Sequence, residues 1–177
     1  MKFEPTPLND AWIITLDPIQ DERGCFTRTF CRKELTAHGI DFKVTQCNAS
    51  LSEVEGTLRG LHYQGSPHEE AKIVRCVQGS LYDVIVDFRA NSPTYLNHFG
   101  IELSPEKMNM LYVPRGFAHG FITLKAKTMA LYMMDEFFAP ECSLGLRYND
   151  PMLGIKWPAQ VSVISEKDSN WPLIDVS

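Results

Sequence analysis

A chain of 177 residues with 44% hydrophobic, 22% charged and 11% aromatic residues is long enough to bury a sizeable core in one domain, 1–177, without staples. Its net charge of −5 argues against a nucleic-acid partner, which needs a concentrated basic patch, but leaves room for a small phosphorylated ligand held by a few arginines. Five scattered cysteines (Cys25, Cys31, Cys47, Cys76 and Cys142) without a Cys-x-x-Cys pair read as the reduced thiols of a cytoplasmic protein, and no signal peptide or apolar run of about 18 residues for crossing a membrane is found.

Period-two alternation of apolar residues predicts a strand over 11–16. A short helix follows over 33–38, with Gly39 placed to end it in the left-handed conformation. Further strands are predicted over 42–50, 57–64, 72–78, 80–88, 95–103, 110–113, 119–124, 128–137 and 142–148. Turns fall at Gln78-Gly79-Ser80 and Arg115-Gly116. From Pro151 onward the chain is rich in Pro and Trp and reads as irregular segments packed around the rest. Many short strands with no alternating helices predict an all-β sandwich or barrel rather than a parallel α/β sheet.

The segment Thr57-Leu58-Arg59-Gly60-Leu61-His62-Tyr63-Gln64 places an imidazole and a guanidinium in an apolar strand, and an imidazole is well suited to moving a proton at neutral pH. In a regular strand Arg59 and His62 lie on opposite faces. For both to serve one site the strand must bulge, and Gly60 is the residue that permits it.

Two segments resemble the paired motifs of the cupin superfamily, a double-stranded β-helix or jelly roll. One is Gly60 to Gln64 with Glu69, the other Pro114-Arg115-Gly116-Phe117-Ala118-His119. Metal-binding cupins usually carry a second histidine where this chain has Gln64, a poor ligand for zinc or iron. A metal-free site is the favoured reading. A three-ligand set of His62, Glu69 and His119 is the alternative, and His119 as a core histidine bonded within the protein is another.

Over nearly its whole length the chain resembles the dTDP-4-dehydrorhamnose 3,5-epimerase family. The matching pieces are Asp21-Glu22-Arg23-Gly24-Cys25-Phe26, Gln46-Cys47-Asn48-Ala49-Ser50, Leu58 to Gln64, Lys72-Ile73-Val74, Asp83 to Arg89, Ser92-Pro93-Thr94, Pro114 to Phe121, Asp150-Pro151 with Gly154-Ile155-Lys156-Trp157-Pro158, and Ser165-Glu166-Lys167-Asp168. The resemblance implies inversion at C3 and C5 of a nucleotide-linked 4-keto-6-deoxyhexose, in deoxysugar biosynthesis. The C4 carbonyl acidifies both neighbouring carbons, so a proton leaves one face through an enolate and returns on the other. No cofactor or metal is required by that chemistry.

With the resemblance, each side chain receives an expected role. His62 is the general base and Asp168 the carboxylate that orients it. Lys72 stabilises the enolate oxygen, and Tyr132 is the acid on the opposite sugar face. Arg23, Arg59, Gln46 and Asn48 contact diphosphate and sugar; His119 lines the same region. Phe26 and Phe138 stack on the base. Simpler readings stand beside these: ion pairs for Arg23 and Arg59, strand packing for Tyr132, a turn cap for Asp168.

The chain departs from the family at Arg28, where a glutamate is common, and at Phe137-Phe138, where tyrosines are. Both positions bear on which nucleotide is read. A single-site epimerase acting at C3 or C5 alone, and a sugar-binding jelly roll without turnover, are the other readings. The resemblance also implies a homodimer in which an N-terminal strand, the segment around Arg23 and Phe26, lines the partner's nucleotide site.

Overall fold

Strands of alternating polarity bury one face only when a second sheet covers it, and two sheets close on each other here. In the computed structural model, which describes residues 1–175, the elements are β1 (Lys2–Pro5), β2 (Trp12–Thr15), β3 (Ile19–Asp21), β4 (Gly24–Phe26), α1 (Arg32–Ala37), β5 (Gln46–Ser52), β6 (Thr57–Gln64) and β7 (Lys72–Gln78). They continue with β8 (Leu81–Asp87), β9 (His98–Leu103), β10 (Asn109–Val113), β11 (Phe117–Thr123), β12 (Thr128–Met134), a 3-10 turn (Pro140–Cys142), β13 (Ser143–Gly145), β14 (Val163–Ile164) and α2 (Glu166–Ser169).

One six-stranded sheet runs β1-β2-β10-β7-β12-β5; the other runs β13-β6-β11-β8-β9, with β14 beside β6. The pairings are antiparallel except for β14, which joins β6 in parallel. This is the cupin-type jelly roll that the sequence predicts.

Between the sheets, Val74, Leu111 and Ala130 of one meet Leu81, Ile85, Phe117 and Phe121 of the other. The outer face of the first sheet, with Ile14, Ile73, Met110 and Met133, is covered by Leu35 of α1 with Ile40 and Phe42. The outer face of the second, with Leu61, Val84, Val86 and Ala118, is covered by Leu146 and Leu153 and flanked by Trp157. Because both of its faces are covered, β8 buries nearly every residue and loses simple alternation.

Several boundaries differ from the sequence reading. The helix begins one residue earlier, at Arg32, and ends at Ala37, with Gly39 following at φ +76°. The strand predicted over 42–50 begins only at Gln46, because Phe42 is fully buried against α1 rather than paired in a sheet. The strand predicted over 95–103 begins at His98, and that over 128–137 stops at Met134. β1 has no counterpart in the sequence reading, whereas the β3–β4 hairpin falls on the segment around Arg23 and Phe26 that the resemblance implies is a strand. The C-terminal region is not wholly irregular, since it holds β14 and α2.

A buried ionic knot ties the end of β8 to the loop after it. Asp87 is fully buried and receives Arg89 Nε at 2.9 Å, Thr94 Oγ1 at 2.7 Å and the Ser92 hydroxyl. Burial pushes its carboxyl up, but the bonds from Arg89, Ser92 and Thr94 outweigh this and bring it from 3.8 down to about 2. A depressed folded-state pKa stabilises above the unfolded value, and that stabilisation is lost as pH falls from about 4 toward 2. Asp87→Asn is therefore expected to lower stability by about 2 kcal/mol at neutral pH. In thermal melts the gap from the native chain should close near pH 2; a gap independent of pH would refute this account.

Candidate active site

At one end of the sandwich the inward-facing positions change from apolar to polar. Lys72 precedes Val74 on the inner face of β7, Tyr132 follows Ala130 on β12, and Gln46, Asn48 and Ser50 share a face of β5. From the other sheet come Arg59 and His62 of β6 and His119 of β11. These side chains, with Phe138 and with Asp168 from α2, line a cleft of about 710 Å³.

The strand bulge expected at Gly60 is present. His119 pairs with His62 and Phe121 with Arg59, so two residues of β6 (Gly60 and Leu61) face one of β11 (Gly120). Directly opposed residues share a sheet face, which puts Arg59 and His62 together on the inner side. Gly60 has φ +120°, and an added Cβ would lie 2.5 Å from Gly120 Cα.

His62 Nε2 lies 2.6 Å from Asp168 Oδ1, and the other carboxylate oxygen accepts the Gly60 N–H at 3.1 Å. Asp168 is held in turn by its backbone, whose N–H donates to the Ser165 hydroxyl at the start of α2. It is thus both a capped-turn residue and the partner of His62. Burial raises its carboxyl, yet the His62 hydrogen bond and charge, followed by the Gly60 and Ser165 bonds, bring it below the usual range. With Nε2–H donated to a carboxylate, Nδ1 is the nitrogen with a lone pair for a proton. Asp168→Asn keeps the shape and removes the charge that stabilises an imidazolium. It is expected to slow proton transfer about 100-fold with KM nearly unchanged, measured by steady-state kinetics; an unaltered kcat would overturn the orienting role.

Across the cleft, Lys72 Nζ sits 2.8 Å from Glu70 Oε1 and 3.4 Å from the His62 carbonyl oxygen, to which it donates. Tyr132 lies on the same sheet as Lys72, on a neighbouring strand. Burial raises its phenol above the usual range, with Arg59 opposing and Glu70 adding to the rise. His119 is buried at the cleft wall and tied to Asp83 Oδ1 at 2.8 Å, which combines the lining and core-histidine readings.

Among the expected binding residues, Arg59 donates to Ser52 Oγ at 3.2 Å and keeps an exposed guanidinium at the rim. Gln46 Nε2 donates to Asn48 Oδ1, and the Phe138 N–H donates to Gln46 Oε1, which fixes the Phe138 backbone beside the cleft. Arg23 and Phe26 do not reach it. They sit on the β3–β4 hairpin, a separate two-stranded sheet, where Phe26 is 72% exposed and Arg23 pairs with Asp21. Arg28 pairs with Glu34 of α1 at 3.0 Å, and Phe137 is exposed beside Phe138.

The metal alternative is not assembled. Glu69 does not line the cleft, and no group of three metal-ligating side chains occurs among the described residues. Gln64, at the position a second histidine would take, instead accepts the Ala139 N–H at 2.7 Å and donates to the Phe137 and His68 carbonyls. It clamps the loop that carries Phe138. Sequence reasoning passed over Asp83 and Glu70 as site residues. A carboxylate in the middle of the buried strand β8 is a readable signal for a buried partner; nothing local distinguishes Glu70 from Glu69.

A family model described as dTDP-4-dehydrorhamnose 3,5-epimerase matches residues 5–175. The chain is 42% identical over 173 residues to the dTDP-4-dehydrorhamnose 3,5-epimerase of Sinorhizobium fredii, covering 97% of this chain and 89% of that one. Among solved structures, the dTDP-4-dehydrorhamnose 3,5-epimerase from Elizabethkingia anophelis superposes with a TM-score of 0.94 at 40% identity, covering 98% and 96% of the two chains. The enzyme of that description from Bacillus anthracis, solved with TDP and PPi bound, also gives 0.94 at 39% identity, covering 98% and 99%.

Proposed function

The chain belongs to the dTDP-4-dehydrorhamnose 3,5-epimerase family, and from that premise we propose that its cleft inverts C3 and C5 of a dTDP-linked 4-keto-6-deoxyhexose by proton transfer through an enolate. The observation that carries the reading is the two-sided cleft. His62 with Asp168 stands on one sheet's wall, and Tyr132 with Lys72 on the other's. A base and an acid on opposite sides of a sugar ring are what inversion requires.

In this reading the ring lies between the sheets with its C4 oxygen toward Lys72. His62 Nδ1 takes the carbon-bound proton, and the Asp168 carboxylate stabilises the imidazolium that forms. Lys72 meets the charge developing on the enolate oxygen. Tyr132 returns a proton to the opposite face. Arg59 at the rim holds diphosphate, Gln46 and Asn48 hold sugar hydroxyls, His119 lines the pocket, and Phe138 stacks on the base.

The hairpin with Arg23 and Phe26 does not line its own cleft, and both side chains are exposed. That placement supports a homodimer in which it completes the partner's nucleotide site. No helix among the described residues is long and apolar enough to cross a membrane, and we place the reaction in the cytoplasm, where five reduced cysteines persist.

The test is isotopic. Incubated in deuterium oxide with dTDP-4-keto-6-deoxyglucose, the protein is expected to introduce deuterium at both C3 and C5, followed by NMR. Exchange at one carbon alone would establish a single-site epimerase; exchange at neither would sink the reading.

A further inference from the structure

Glu70 lies two residues before Lys72, and the side chains of this ion pair are 3% and 8% exposed. An ammonium offers three N–H donors on a flexible stem of four carbons. One donor meets Glu70 Oε1 at 2.8 Å and another reaches toward the His62 carbonyl at 3.4 Å, so the remaining one is free for an oxygen in the cleft. Glu70 Oε2 is shut off from solvent and has no hydrogen-bond partner among the described residues. The charge of this carboxylate is therefore answered by Lys72, and a buried carboxylate without such an answer is strongly disfavoured.

We propose that Glu70 is a positioning residue for the acid side of the reaction: its carboxylate fixes the Lys72 ammonium and sets the electrostatics around Tyr132. The inference rests on the proposed epimerisation. The charged and titratable residues that line the cleft opposite the pair are Arg59, His62 and Tyr63 on β6, His119 on β11, and Lys167 and Asp168 on α2. Asp168 is committed to His62 and Asp83 to His119, both on the opposing wall. Among the described residues that line the cleft, Glu70 is left as the carboxylate on the side of Lys72 and Tyr132. Its charge opposes ionisation of the phenol, in addition to the larger effect of burial and against that of Arg59. This adds to the hold that burial already has on the phenolic proton.

Two variants separate position from charge. Glu70→Asp keeps the charge but retracts it by one methylene, and is expected to lower kcat about 10-fold or more with the alkaline limb of the rate profile in place. Glu70→Gln keeps the shape and one acceptor but removes the charge. It is expected to lower kcat and also to move the alkaline limb to lower pH, with KM within about twofold. In parallel, phenolate absorbance is titrated in the wild type and in Glu70→Gln, with the Tyr132 step assigned by subtracting the Tyr132→Phe spectrum. That step should come at lower pH in Glu70→Gln.

A folded Glu70→Gln protein with wild-type kcat, alkaline limb and phenolate step would overturn the inference. Should Glu70→Gln fail to fold, wild-type kcat in Glu70→Asp would overturn it equally. Absence of deuterium exchange by the wild type would defeat the epimerase reading, while the phenolate titration would still decide the role of Glu70.

Discussion

His62→Ala is expected to abolish solvent deuterium entry at C3 and C5, lowering the exchange rate by at least about 10³-fold. Its imidazole is held by a carboxylate, at 2.6 Å from Asp168, and is open to the cleft. Lys72 is a cation already engaged by Glu70, and His119, which shares the carboxylate contact through Asp83, is buried where His62 is open, so neither replaces it as a base. The His62 side chain is 42% exposed, so removing it opens no core cavity. Asp168 loses one partner but keeps the Gly60 N–H. The expected cost is about 1–2 kcal/mol, a melting temperature lower by only a few degrees. Retained exchange in a folded His62→Ala protein would refute the base assignment, whereas unfolding would show that the dyad is mainly structural.

Much of this site was legible because strand periodicity reports which side chains share a face. The bounds 57–64 and 72–78 coincide with β6 and β7, and the Gly60 bulge follows from asking how Arg59 and His62 reach one cleft. Periodicity misled where an apolar alternation served another purpose. Phe42 and Val44 mimic a strand but pack with α1. It was silent where apolar residues are few, as in the β3–β4 hairpin, whose residues are all exposed.

The partner of His62 lies 106 residues away, on a four-residue helix that carries no hydrophobic stripe. Only the family resemblance pointed to Asp168, although Ser165-x-x-Asp168 is a readable capping pattern. Glu70 was beyond reach for a different reason. Which of two adjacent carboxylates turns inward is set by the backbone of the loop before β7, and that backbone follows from long-range packing rather than local pattern.

The largest loss of stability is expected at Gly60. Its φ of +120° is a conformation that L side chains rarely adopt, and an added Cβ would meet Gly120 Cα at 2.5 Å and the His119 carbonyl oxygen at 2.8 Å. These neighbours are backbone, so no side-chain rotation relieves the clash. Gly120 is constrained reciprocally, since a Cβ there would lie 2.6 Å from the Arg59 carbonyl oxygen. β6 and β11 touch at this point through two glycines. Backbone strain of about 1–3 kcal/mol and overpacking of similar size give about 4 kcal/mol for Gly60→Ala. In a chain of this length that lowers the melting temperature by about 10 °C. Gly39→Ala is the matched control: φ is +76° there, but nothing lies within 4 Å, so only the conformational cost of about 1 kcal/mol is expected. The same substitution at Gly60 should also depress deuterium exchange, because the Gly60 N–H holds Asp168 and the bulge brings Arg59 and His62 to one face. If calorimetry found Gly60→Ala no worse than Gly39→Ala, the close strand contact would not be what holds these two side chains in register.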